Sequence, residues 1–128
     1  MDLQNEKCVM VIDEQLPLRI IANTAAVMGI TLGKAMPEVV CADVRDESGH
    51  THLGIIEFPV PILRGSPESI KALTVVDFSD LAQSCKTYDE FIGRMAQVPE
   101  STLQYFGVAV CGTKKKVNKL TGSLPLLR

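Results

Sequence analysis

Residues 7–29 constrain the fold most. Lys7–Asp13, KCVMVID, is an unbroken apolar run with β-branched side chains, closed by a charge at each end. A strand covered on both faces reads this way. It leads directly into EQLPLRIIANTAAVMG. There Pro17 suits a first helical turn, and Gly29 suits the residue just past the helix end. Ile20, Ile21, Thr24, Ala25, Val27 and Met28 form one apolar stripe on that helix, and Arg19 and Asn23 stand together at i,i+4. A strand running into a helix is half of a βαβ unit, and an all-antiparallel sandwich has no place for it.

The rest of the chain keeps the alternation. Val39–Val44 and Leu53–Phe58 read as two short strands around the turn DESGH, with Pro59 and Pro61 ending the ladder. Ser66 and Pro67 open a short helix over SPESIKAL, and TVVDF is a buried strand ending at Asp77. Thr87 and Glu90 form a capping box for a helix whose Tyr88, Phe91, Ile92 and Met95 share a face, closed by Pro99. Tyr105–Cys111 is the last strand, and a final short helix lies between Thr113 and Gly122. The pattern predicts one α/β domain over residues 1–128, with a mixed sheet of about four to six strands, the first and last of them adjacent. A chain of 128 residues suffices for one core, burying roughly 65–70% of its unfolded surface.

Charge divides the chain. Residues 113–128 hold five of the thirteen basic residues and none of the fifteen acids, so residues 1–112 carry a formal −7. An acidic body repels a polyanion, which argues against broad nucleic-acid binding, while the tail can hold one small anionic ligand. No apolar run reaches the roughly 20 residues of a membrane span. The polar opening MDLQNEK reads as no signal peptide, so the expected location is cytoplasmic. None of Cys8, Cys41, Cys85 and Cys111 sits in a C-x-x-C pair, and with two histidines no zinc set is complete. Cys8 and Cys111, inside apolar runs, are expected as buried free thiols. No metal and no cofactor are expected.

Two constellations carry chemistry. Gly112 and Thr113 followed by Lys114, Lys115 and Lys116 make a strand–turn–helix junction whose free backbone N–H groups suit an anion. Three lysines in a first turn oppose the helix dipole, and an anionic guest resolves that conflict; three solvated lysines are the plainer alternative. Arg19 and Asn23, with Asp77 at the end of another strand, can hold a substrate and orient a water outside the carboxyl ends of the strands. A surface Arg19–Asp77 ion pair is the alternative. His50 and His52 flank Thr51 on a turn and read as solvated. No G-x-S-x-G elbow is present.

The two ends together resemble a known fold. KCVMVIDEQLPLRIIANTAAVMG is similar to the opening strand and helix of the type II peptidyl-tRNA hydrolases, and VNKLTGSLPLL to their closing K-L-T-G segment. The chain resembles more closely an offshoot of that fold, the "domain of unknown function 2000" family, through HLGIIEFPVPIL, VVDFSD, YDEFIGRMA and KLTGSLPLLR. The resemblance implies a three-layer, type II peptidyl-tRNA hydrolase-like α/β fold, with about four main strands and helices on both faces, often dimeric. It places Arg19 and Asn23 where the hydrolases carry Lys and Gln, and Asp13 and Gln15 where they carry Arg and Asp. Asp77 matches a hydrolase Asp, Gly107 falls near their last-strand Thr, and Asn118 replaces their final Asp. Arginine keeps the charge of lysine but removes a group able to lose a proton. The expected function is therefore small-molecule or anion binding, with hydrolysis of an ester or amide as its catalytic form. A dimeric interaction module using the apolar SLPLLR tail, and retained peptidyl-tRNA hydrolysis, are the alternatives.

Overall fold

The computed structural model describes residues 5–66 and 76–127. Strand β1 (Glu6–Ile12) leads into helix α1 (Leu18–Ala35), and a 3-10 turn at Pro37–Val39 follows. A short ribbon of β2 (Val44–Arg45) and β3 (Thr51–His52) precedes β4 (Ile62–Arg64). Then come β5 (Val76–Ser79), α2 (Asp80–Ser84), α3 (Tyr88–Met95), β6 (Tyr105–Thr113) and α4 (Lys114–Thr121). The main sheet runs β4-β1-β6-β5. β1 and β4 are parallel, and β6 is antiparallel to both β1 and β5, so the sheet is mixed.

The first and last strands are adjacent, as the alternation predicts, paired from Glu6 opposite Thr113 to Ile12 opposite Gly107. Side-chain alternation along these strands builds two cores. Cys8, Met10, Ile12, Val76, Phe78 and Ala109 pack with Met28 and Leu32 of α1. Val9, Val11, Val108 and Val110 face the other way and pack with Val117 of α4. Helices therefore cover both faces in three layers.

Cys8 and Cys111 depart from the sequence reading. They stand directly opposite in the β1–β6 register, 4.2 Å apart at Cα, and are joined as a disulfide. Cys8 is buried and Cys111 partly so; Cys41 and Cys85 are the free thiols. Each cysteine alone reads as a small hydrophobe, and only strand adjacency brings together two residues 103 apart in the chain.

Three other boundaries move. α1 continues past Gly29 because Leu32 extends the buried row Ile20, Thr24, Met28 by one more turn. Burial of that row outweighs the roughly 1 kcal/mol cost of an internal glycine. The two strands expected at 39–44 and 53–58 reduce to β2, β3 and a bridge between Val40 and Ile56 in the same register. The ladder breaks where the Asp43 carboxylate takes the Gly54 N–H at 2.8 Å, a side-chain competitor for a backbone bond. Any side chain at Gly54 would also run into the Cys41 carbonyl. The strand expected to end at Asp77 runs on to Ser79. The helix expected over SPESIKAL (residues 66–73) lies, from residue 67 on, outside the described residues, as do the first two residues of the strand expected over TVVDF.

The tail folds back. Leu126 bridges Leu63, Arg64 N–H donates to the Pro125 carbonyl at 3.0 Å, and Leu127 N–H to the Ile62 carbonyl at 2.9 Å. Leu124 joins the α4-side core. Residues 124–127 thus cover the outer edge of β4, and much of the apolar patch expected to pair two copies is used within the chain.

Candidate functional site

A hollow of 460 Å³ lies beside the edge strand β5. Ser79 ends that strand as the N-cap of α2, its Oγ accepting the Ala82 N–H. Asp80 ties the junction to β6 by accepting the Gln104 N–H at 3.0 Å. Thr87 then caps α3 by accepting the Glu90 N–H, and the Glu90 carboxylate accepts the Lys86 N–H, so the capping box forms one residue wider than the usual pattern. That backbone bond and Arg94 hold the Glu90 carboxyl below its ordinary pKa. Arg94 also donates to Ser84 at 3.1 Å, fixing α3 against α2.

α3 leaves its apolar face open. None of its residues is buried; Tyr88 is 72% and Ile92 58% exposed. Tyr88 and Phe91, two of the four residues expected to share a face, form one wall of a 460 Å³ cleft, with Val27 and Thr31 of α1 opposite. Phe78, Ser79, Ala82, Cys85, Lys86 and Thr87 complete the described lining with Asp77. The Tyr88 and Phe91 rings lie 5.5 Å apart and tilted. Lys86 is the only cation of the lining among the described residues. The capping box marked where α3 begins, but no sequence signal showed that its apolar face stays open.

The residues expected to act together are dispersed. Asp77 lines the cleft, but Val76 and Phe78 point into the α1-side core, so alternation turns the Asp77 carboxyl to the opposite face at the sheet edge. Its pKa is raised, chiefly by burial and then by the Glu100 charge. Glu100 in turn accepts the Tyr105 hydroxyl at 3.2 Å. Asn23 sits a turn before Val27 and donates to Gln83 at 3.0 Å. Arg19 lies a further turn away, about 12 Å from Val27 along the axis. It has no ion-pair partner among the described residues.

The basic turn lies at the other end of the sheet. β6 runs antiparallel to β5, and Asp77 pairs with Val108. Thr113 is five residues further, about 17 Å. Gly112 and Thr113 therefore cannot share a cleft with Asp77. Thr113 caps α4 by accepting the Lys116 N–H, and Lys114, Lys115 and Lys116 are exposed. His52 and His50 both approach Asp46, at 2.8 and 3.8 Å. No group of three or more metal-ligating residues forms among the described residues. Nor, among them, is any helix long and apolar enough to cross a membrane.

Comparison with known proteins gives a fold and no activity. A solved structure of a protein of unknown function from Agrobacterium tumefaciens strain C58 superposes with a TM-score of 0.82 at 14% identity, covering 95% of this chain and 97% of that one. At that identity the likeness concerns the fold alone. No curated protein matches the chain. Residues 6–128 match a family described as "Protein of unknown function (DUF2000)". The chain belongs to that family.

Proposed function

We propose that this protein binds a small molecule in the cleft between α1, β5, α2 and α3. One observation carries the reading: two aromatic rings and a lysine line a 460 Å³ hollow that the chain's own core leaves open. That volume lies within the range of small-ligand sites, which combine apolar walls with a few polar groups. The ligand class that suits it is a flat, largely apolar molecule with an anionic end, stacked on Tyr88 and Phe91 and met by Lys86.

The reading stops at binding. Strand alternation turns the Asp77 carboxyl from the α1 side, and Arg19 lies outside the cleft, so ester or amide hydrolysis gains no assembled acid and base. Peptidyl-tRNA hydrolysis is further disfavoured by the formal −7 of residues 1–112.

The test uses 1-anilinonaphthalene-8-sulfonate, an aromatic anion. Saturable 1:1 binding is expected, weakened at least about tenfold, or 1.4 kcal/mol, by Tyr88→Ala or Lys86→Ala with melting temperature retained. Lys34→Ala serves as the surface control. Binding that is unsaturable, or equal in all variants, refutes the assignment.

A further inference from the structure

Residues 40–57 form an arm that contributes nothing to either core, although Val39 at its base is buried. A two-stranded ribbon is marginal in water unless something packs on it. This one carries Val44 at 60%, Leu53 at 80% and Ile55 at 77% exposure. The pairs Val40–Ile56 and Val44–His52 fix its faces. Alternation then places Val40 and Val44 on one face and Leu53 and Ile55 on the other. An arm apolar on both faces suits insertion against another body.

Charge identifies that body. The arm carries Asp43, Asp46, Glu47 and Glu57 against Arg45, a formal −3. Arg45 is folded back onto the Gly49 carbonyl at 2.9 Å. α4 carries Lys114, Lys115, Lys116 and Lys119 and no acid. Among the described residues none of these lysines is in an ion pair, and no arm acid reaches them. One chain thus presents an acidic apolar arm and a basic surface that do not meet within it. The base of the arm, at Phe58, Pro59 and Pro61, shares a 250 Å³ hollow with Lys114, so both features lie at the same end of the sheet, where β1 begins and β6 ends. A two-fold axis there brings each arm to the other copy's lysines, as an isologous contact requires.

We propose that residues 40–57 are a dimerisation arm whose occupant is a second copy of this chain, with its acidic side on the partner's α4 lysines. The arm's apolar side chains supply the buried contact, and the charges set orientation and partner. This interface replaces the tail, which covers β4.

Sedimentation and light scattering of the full chain test it. At about 100 µM, where a micromolar dimer is largely associated, twice the 13.9 kDa chain mass is expected. Leu53→Asp with Ile55→Asp gives a monomer with unchanged circular dichroism. Lys114→Glu, Lys115→Glu and Lys116→Glu together also give a monomer, as do Asp43→Lys and Glu47→Lys together. An equimolar mixture of these two charge-reversed proteins forms a heterodimer, because each of its two contacts again joins opposite charges, and joining all five changes in one chain likewise restores the dimer. A wild type monomeric at that concentration overturns the proposal, whatever else the arm then binds. So does a dimer that survives the two aspartates, or a five-fold variant that stays monomeric.

Discussion

Gly107 is where α1 lies tightest on the sheet, and adding a side chain there is expected to loosen the fold by a calculable amount. Gly107 is buried on β6, opposite Ile12 and Phe78. A Cβ would stand 2.7 Å from Thr24 Cγ2, 2.9 Å from Met28 Cε and 3.3 Å from Ile12 Cγ1. The methionine methyl can swing aside, but Thr24 is fully buried and its hydroxyl donates to the Ile20 carbonyl at 2.7 Å. Its β-branched χ1 has little freedom, so relief requires α1 to move. Overpacking costs about 1–3 kcal/mol, and removing a strand glycine returns about 0.5–1 kcal/mol. The net loss for Gly107→Ala is about 0.5–2 kcal/mol.

For 128 residues the unfolding entropy is about 0.27 kcal/mol/K, so Tm falls by about 2–7 °C. Gly107→Thr adds two more heavy atoms and is expected to lose about 3 kcal/mol or more, near the place where the hydrolase resemblance puts a threonine. The assay is thermal and urea unfolding of wild type, Gly107→Ala, Thr24→Ser and the double variant. Thr24→Ser deletes the obstructing Cγ2 while keeping the hydroxyl, so the pair should couple by about 1 kcal/mol. A neutral or stabilising Gly107→Ala, or strict additivity with Thr24→Ser, refutes the close contact.

The disulfide closes nearly the whole chain, with a separation of 103 residues. The chain-entropy model gives about 4.7 kcal/mol for such a loop, so reduction by a phosphine should lower Tm by up to about 17 °C. Four reactive thiols in unreduced, denatured protein would show that the bond is absent, and its presence would argue against the reducing compartment expected from the sequence. Asp77 titrates above its ordinary value when folded, so the folded state binds the extra proton and stability falls as pH rises from about 3.9 through the folded pKa. Asp77→Asn should therefore raise Tm at pH 7, with the difference closing below about pH 4; a lower Tm at pH 7 contradicts this. Truncation after Ser123 removes Leu124 from the α4-side core and two backbone bonds to β4, and is expected to cost about 2–4 kcal/mol. Unchanged urea unfolding would mean the tail is not docked.

What could be read from the sequence was local. KCVMVID as a strand and Thr113–Gly122 as the bounds of α4 follow from signals within a few residues of each other, and so does the Thr87 cap. Most of the departures involve pairs far apart in the chain. The cysteine link needs the β1–β6 register. The use of SLPLLR needs β4 as a neighbour. Lys114–Lys116 stand apart from Asp77 because β6 runs on five residues beyond Val108, the partner of Asp77, before α4 begins. Gly29 is the exception, a local stop signal overruled by burial of Leu32 one turn later.

The polar positions implied by the hydrolase resemblance share a further property: the fold already uses most of them. Asp13 accepts the Gln15 N–H at 2.9 Å, turning the chain from β1 toward α1. Asn23 ties α1 to α2 through Gln83. Asn118 accepts Lys7 Nζ at 2.7 Å, fastening α4 to β1. Gly107 replaces a side chain with the close approach of Thr24 and Met28. A substrate binding at any of these positions would first have to exchange an intrachain bond or push a helix off the sheet, and each net hydrogen bond is worth only about 0.5–1.5 kcal/mol. Such positions hold a domain together better than they discriminate among ligands. The groups left open are Lys86, Tyr88 and Phe91 at the edge of β5 and the apolar residues of the 40–57 arm. Selection for binding therefore acts most freely at this sheet's margins, away from the positions the hydrolases use.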